Sequence, residues 1–283
     1  MTKTLFYDIE TTLLSLWGFS LGKTVLRHPQ LLKGYFSRTH VICITYKWEH
    51  EKKSKILTWG KGIAGEKKMM QDFDKLVKQA DVVIGKNSNR FDNKHMNTQR
   101  LWFGLDGMPE WIHKCDDLES QMRRHFYLPS YALDYFSEQL GLGGKNSMKL
   151  DDWTCINQLR CIQVCKLKSG NKFFEFMFNK TVDQAKKDGE KALKKMFVYG
   201  IKDTDDTARL WNHCKKHLKP KHNEAAQYDC PACKHCGSKE VRRNGGPKFS
   251  GQTLFQYFFC LDCRTGGTRA SVNRKTGKIG RMS

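Results

Sequence analysis

The chain has 283 residues, 39% of them hydrophobic and 12% aromatic, with 11 cysteines and a formal net charge of +21. This supports one medium domain plus a small one, each with a core, and excludes wholesale disorder. No apolar run long enough to span a membrane occurs, and a chain this basic calls for a polyanion partner, most commonly nucleic acid. An anionic membrane surface is the lesser reading, because no polybasic run adjoins a lipid-anchoring segment. The opening residues lack an apolar signal core. A cytoplasmic protein of a bacterial, archaeal or viral setting is therefore expected, with cysteines reduced or bound to metal.

Taken in chain order, Lys3-Thr4-Leu5-Phe6-Tyr7-Asp8-Ile9 reads as a strand ending in acid. Residues 11–39 are an irregular excursion with room for one short helix. Residues 40–48 and 54–59 are β-branched and aromatic, and the charged Glu49–Lys53 between them fits a hairpin connection. Helical spacing runs over 66–79, and Asp81-Val82-Val83-Ile84-Gly85 is a buried strand stopped by glycine. Helical patterns follow at 94–104, 117–126, 131–140 and 184–217, with a short strand at 111–115. Within 154–180, two apolar runs flank Lys168-Ser169-Gly170-Asn171, which predicts an inserted β-hairpin. Strands first, then alternating helix and strand, predict an α/β domain with a mixed sheet flanked by helices. The helical pattern ends near Pro220, and 218–229 reads as a linker. The expected domains are 1–220, with the inserted hairpin, and 226–283.

Acidic residues stand out against the basic background. Asp8 and Glu10 share one face of a strand, because strand side chains alternate, and like charges that close favour a cation between them. Taken alone, the pair is more simply a solvated strand end. Asp92 follows the buried strand and opens a helix, where an acid can simply act as a cap. Tyr199 and Asp203 are one helical turn apart and share a face, so a phenol there can orient water beside a carboxylate. Asp205 and Asp206 lie in registers expected to face solvent.

In this order, Asp-x-Glu on a first strand, Asn-x-x-x-Phe-Asp, then Tyr-x-x-x-Asp on a late helix, the chain resembles the DEDD 3′→5′ exonuclease superfamily in its tyrosine-bearing branch. Phe6 through Thr12, Phe91 through Leu101, Leu133-Asp134-Tyr135 and Leu140 through Lys145 are similar to predicted exonucleases related to the proofreading domain of family B DNA polymerases. The resemblance covers roughly residues 3–215, and the 154–180 insert departs from it. It implies a ribonuclease-H-like fold and two Mg²⁺ or Mn²⁺ ions held by Asp8, Glu10, Asp92 and Asp203. Asp8 would bridge both ions, Asp92 would act partly through water, and Tyr199 would position the attacking water with help from Glu10. Two such ions about 4 Å apart activate water and stabilise the leaving oxygen of a phosphodiester.

Cys233-x-x-Cys236 and Cys260-x-x-Cys263, separated by 23 residues, have the spacing of a structural Zn²⁺ site resembling a zinc ribbon. Gly237 suits the turn after the first pair. Cys230 and His235 are competing ligand candidates. Cys43, Cys115, Cys155, Cys161, Cys165 and Cys214 read as small core or surface residues. Arg242, Arg243, Lys248, Arg264 and Arg269, interleaved with aromatics, suit single-stranded nucleic acid. The plainer reading of those aromatics is the module's own core.

The leading expectation is a 3′→5′ exonuclease on single-stranded DNA, with replication or recombination proteins as possible partners. A 3′→5′ exoribonuclease, a non-catalytic nucleic-acid-binding protein and a junction-type endonuclease are the alternatives.

Overall fold

The computed structural model describes residues 3–13, 16–17, 30–31, 39–60, 62–107, 114–141, 147–218, 231–273 and 276–282. Most of the 11–39 excursion, Leu142–Asn146, the linker from Lys219 on, Cys230, Arg274 and Lys275 lie outside them.

The first sheet is built on β1 (Thr4–Thr11). Two short strands, β2 (Leu16–Trp17) and β3 (Gln30–Leu31), pair with each other apart from it. Then come β4 (Val41–Trp48), β5 (Lys55–Thr58), α1 (Gly62–Gln79) and β6 (Val82–Gly85). They are followed by α2 (Asp92–Phe103), β7 (Cys115–Asp117), α3 (Leu118–His125) and α4 (Leu133–Gln139). The strand order is β5-β4-β1-β6-β7. β4 pairs antiparallel with β1 and with β5, while β1–β6 and β6–β7 are parallel, so β4 alone runs against the rest. This is the expected α/β arrangement, a five-stranded mixed sheet flanked by helices.

β1 is central and nearly all buried because its two faces meet different layers. Leu5, Tyr7 and Ile9 join Met69, Met70 and Phe73 of α1 on one side. Phe6 joins Ile84, Leu118, Leu210 and Trp211 on the other. The alternation that buries Phe6 therefore carries Asp8 and Glu10 to the same side.

The predicted hairpin at 154–180 is not there. The segment is helical, as α5 (Leu150–Cys165) and α6 (Lys172–Phe178). Its β-branched and aromatic runs read as strands, but Ile156, Leu159 and Ile162 recur at helical spacing and are buried. Lys166, in the left-handed region at φ 52°, ends α5. The Asn171 side chain accepts the Phe174 N–H and starts α6. The expected hairpin turn thus lies in the connection between a helix stop at Lys166 and a helix cap at Asn171. α5 packs along α7 (Val182–Cys214), where a Cβ on Gly189 would meet the Cys155 carbonyl at 2.8 Å. The strand expected at 111–115 begins at Cys115, and residues 111–113 lie outside the described set.

Asp205 and Asp206 do not face open solvent. Asp206 is buried and paired with Lys202 and Arg209. Asp205 accepts from Lys47 and Ser54 and ties α7 to the sheet's edge.

A second sheet gathers β8 (Val241–Arg243), β9 (Lys248–Ser250), β10 (Thr253–Cys260), β11 (Thr268–Val272) and β12 (Ile279–Met282). Its small core is Ala232, Phe258 and Ala270, with Val241 and Ile279 against them.

Candidate functional site

The site forms where α7 crosses the C-terminal end of β1. Asp8 pairs with Thr45 and Glu10 with Cys43 across the antiparallel register, so all four point towards α7. The helix comes close because residue 200 is glycine. A Cβ there would stand 3.1 Å from the Thr45 methyl and 3.7 Å from Glu10 Cγ. Thr45 Oγ1 fastens the contact, donating to the Gly200 carbonyl at 3.0 Å and accepting from the Thr204 hydroxyl at 2.6 Å. Tyr199 and Asp203 flank this glycine, one residue before it and three after, and are carried to the strand.

The result is a group of three carboxylates, from Asp8, Glu10 and Asp203, with one oxygen of each within 4.8 Å of the others. Glu10 is 9% exposed. Three like charges this close are unfavourable unless a proton or a cation lies among them, and hard carboxylate oxygens suit a divalent cation. The chemistry of the donor set therefore fits the implied ions.

Asp92 enters from the other side. It is the first residue of α2, and the residue before it, Phe91, makes no side-chain cap. β6 pairs with β1 only through Phe6, which leaves the Ile9 N–H without a strand partner. The buried Asp92 carboxylate accepts that N–H at 3.1 Å. Burial pushes its pKa up to about 7; the Ile9 N–H opposes the rise, Asp117 adds to it and Lys86 opposes it. Asp92 is not in the 4.8 Å group, but it lines the same cavity of about 310 Å³. That cavity holds all five predicted catalytic positions: Asp8, Glu10, Asp92, Tyr199 and Asp203.

Tyr199 is half-buried, with its ring edge-on to Trp153 at 6.4 Å. Burial raises its pKa, and the Asp203 and Glu10 carboxylates raise it further. The phenol stays protonated near neutral pH and acts as a hydrogen-bond donor, not a base.

Several cleft residues escaped the sequence reading. Lys86, just beyond β6, lines the cavity and pairs with Glu119 at 2.9 Å. Its place after a strand's carboxyl end was the available signal. Phe91 and Leu133 supply apolar walls, and Phe91 is 41% exposed. Asp117 holds the loop before Asp92 by accepting from the Asn87 and Asn89 N–H groups, and it also caps α3 through Ser120. Its place at the start of the expected 117–126 helix marked the cap but not the contacts to Asn87 and Asn89.

In the second sheet, Cys233, Cys236, Cys260 and Cys263 bring their sulfurs within 4.8 Å of one another. Cys233 lies 3.6 Å from Cys263, and Cys236 lies 3.7 Å from Cys260. This fits a tetrahedral thiolate site and includes neither His235 nor, among the described residues, any fifth cysteine. Burial opposes ionisation of Cys233, but the Cys236 and His235 amides and the neighbouring Cys263 and Thr265 bring its pKa down to about 7. Amides aimed at a sulfur favour the thiolate a metal needs.

The five basic candidates spread over this module. Arg242 and Arg269 lie over the Phe259 and Phe255 rings, at 5.5 and 4.3 Å. Lys248 sits on β9, and Arg243 on β8 opposite Phe258. Arg264 occupies a left-handed turn position at φ 56°.

No protein-family model matches this sequence, and no curated protein sequence matches it. Among solved structures, the family B DNA polymerase from the hyperthermophilic archaeon Pyrobaculum calidifontis is similar over 76% of this chain, at 18% identity and a TM-score of 0.45. The chain spans 25% of that polymerase's length. No described helix is long and apolar enough to cross a membrane.

Proposed function

We propose that this chain is a metal-dependent 3′→5′ exonuclease that hydrolyses single-stranded DNA, with residues 1–220 as the catalytic domain and 226–283 as a zinc-ribbon module that holds the substrate. One observation carries the reading. Acids from β1 and from a helix almost two hundred residues later converge, with one oxygen of each within 4.8 Å, inside a cleft that Asp92 and Tyr199 also line.

Asp8, Glu10 and Asp203 would hold the divalent ions, with Asp92 contributing from across the cleft. Bound Mg²⁺ or Mn²⁺ supplies Lewis acidity and neutralises phosphate charge. The chain's own residues do the rest. The Tyr199 phenol, kept protonated by burial and by its hydrogen bond to the Asp203 carboxylate, would keep its oxygen turned to the cleft and accept from a water held in line. Lys86 offers a cation at the cleft edge, and Phe91 and Leu133 present apolar walls to a terminal base. Cys233, Cys236, Cys260 and Cys263 would hold one Zn²⁺ in a closed set with no position open for chemistry. Arg242, Arg243, Lys248, Arg264 and Arg269 give the module its attraction for phosphate.

Digestion of 3′- and 5′-labelled oligonucleotides, with Mg²⁺ or with EDTA, tests the proposal. A 5′-labelled strand should shorten by single-nucleotide steps, circular single-stranded DNA should survive, and Asp8→Ala should abolish cleavage. A matched RNA strand separates the exoribonuclease alternative. Cutting of the circle, or activity that survives Asp8→Ala, overturns the reading.

A further inference from the structure

We propose that one face of the C-terminal sheet is a stacking platform for unpaired nucleobases, so that this module selects single-stranded over duplex nucleic acid. The proposal rests on the nuclease reading for its choice of polyanion and adds the surface and the strand state that surface accepts.

β10 alternates along its length. Gln256, Phe258 and Cys260 are buried, whereas Phe255, Tyr257 and Phe259 stay half-buried on the opposite face. The antiparallel registers add one cation beside each of those rings. Lys248 lies opposite Phe255, Arg269 opposite Tyr257 and Arg242 opposite Phe259. The Arg269 guanidinium lies 4.3 Å above the Phe255 ring, and that of Arg242 lies 5.5 Å above Phe259. None of the five strands carries an Asp or Glu.

A protein partner burying this row of rings would also have to desolvate three cations. A polyanion with flat apolar faces suits both features at once. Alternate residues of a strand stand about 7 Å apart, twice the roughly 3.4 Å base step of a duplex strand. Duplex bases are also already covered on both faces. Only a strand with its bases unstacked can lay one base on the Tyr257 ring and its neighbours on the guanidinium planes that cover Phe255 and Phe259, whose N–H edges still reach phosphate. Arg243 faces the other way, opposite the core residue Phe258, and is a built-in control.

The test uses the full chain with Asp8→Asn to prevent cleavage, zinc retained and no Mg²⁺ or Mn²⁺ added. Binding to labelled oligo(dT) and to a blunt hairpin duplex is followed by fluorescence anisotropy, and bound zinc per chain reports the fold. Tyr257→Ala should weaken oligo(dT) binding by about tenfold and leave the duplex nearly unchanged. Arg243→Gln should weaken both alike and only modestly. Tyr257→Ile keeps strand propensity without the π-face and serves if the alanine variant loses zinc. Unchanged oligo(dT) binding in a zinc-loaded Tyr257 variant, or equal loss for both ligands, overturns the proposal. Wild-type cleavage is scored separately. Intact strand selection without cleavage sinks the exonuclease reading alone, and cleavage without strand selection sinks the platform alone.

Discussion

Asp92→Asn should make the metal-free protein more stable and the enzyme far less active. The carboxylate is 3% exposed, and burial pushes its pKa from 3.8 up to about 7. A raised carboxylate pKa means the fold favours the protonated form. That stabilisation is complete below the unfolded pKa and is lost as pH rises through about 7. The gap, at ~1.36 kcal/mol per unit, sets an upper bound of ~4 kcal/mol, and relaxation around the charge brings the expected effect to ~2–4 kcal/mol. Asparagine keeps an oxygen to accept the Ile9 N–H and carries no charge. The variant should therefore match the wild type near pH 4 and exceed its unfolding free energy by ~2–4 kcal/mol at pH 8. Thermal unfolding by circular dichroism across that pH range, without added divalent metal, measures this. Adding Mn²⁺ should then stabilise the wild type more than the variant, and cleavage by the variant should fall by on the order of a hundredfold. A variant that is less stable at pH 8, or equally shifted at both pH values, would show that the buried charge is not penalised. It would reduce Asp92 to an acceptor for one strand amide.

Other perturbations separate positioning from chemistry. Gly200→Ala sets a methyl 3.1 Å from the Thr45 methyl, so crowding of about 1–3 kcal/mol is partly offset by roughly 1 kcal/mol of helix propensity, and the variant should lower kcat, by displacing Tyr199 and Asp203 together, more than it lowers stability. Thr45→Ser, which keeps the hydroxyl and vacates the methyl, should restore part of both. Tyr199→Phe should lower kcat on the order of a hundredfold while leaving Mn²⁺ affinity, measured by calorimetry, nearly unchanged. Equal loss of both would make the phenol a ligand-site prop. Arg160→Met leaves the buried Glu66 with His40 as its remaining partner, 3.0 Å away, and should destabilise the chain by about 2–4 kcal/mol in denaturant unfolding. Zinc removal, or Cys260→Ser, should unfold the C-terminal sheet and weaken oligonucleotide binding, while far-UV circular dichroism retains the helical signal of the larger body.

Much of the candidate site is written in short-range spacing. Asp8 and Glu10 share a face because strand residues alternate. Tyr199 and Asp203 share one because a helix repeats every 3.6 residues. The two cysteine pairs announce their chelating geometry by the two residues between members. The misread segment shows where such reasoning fails. The aromatic run from Phe173 to Phe178 has strand-like composition, but the Asn171 cap and the burial of Phe174 against Ile162, Val182 and Ala185 hold it as a helix that leaves Phe173 and Phe176 exposed. For Asp206 the ion partners Lys202 and Arg209 are local, one helical turn away on either side, and only its burial comes from tertiary packing.

Local periodicity thus determined which side chains travel together: the acid pair on β1, the tyrosine and acid on α7, and the thiols within each knuckle. Tertiary structure alone decided which of those pairs meet. The approach of α7 to β1 at Gly200, the capture of Ile9's N–H by Asp92, and the division of β10's aromatics between core and open face are contacts between residues far apart in the chain. Backbone geometry sets the period of a strand or helix residue by residue, whereas long-range packing is chosen by the whole chain burying its apolar surface at once.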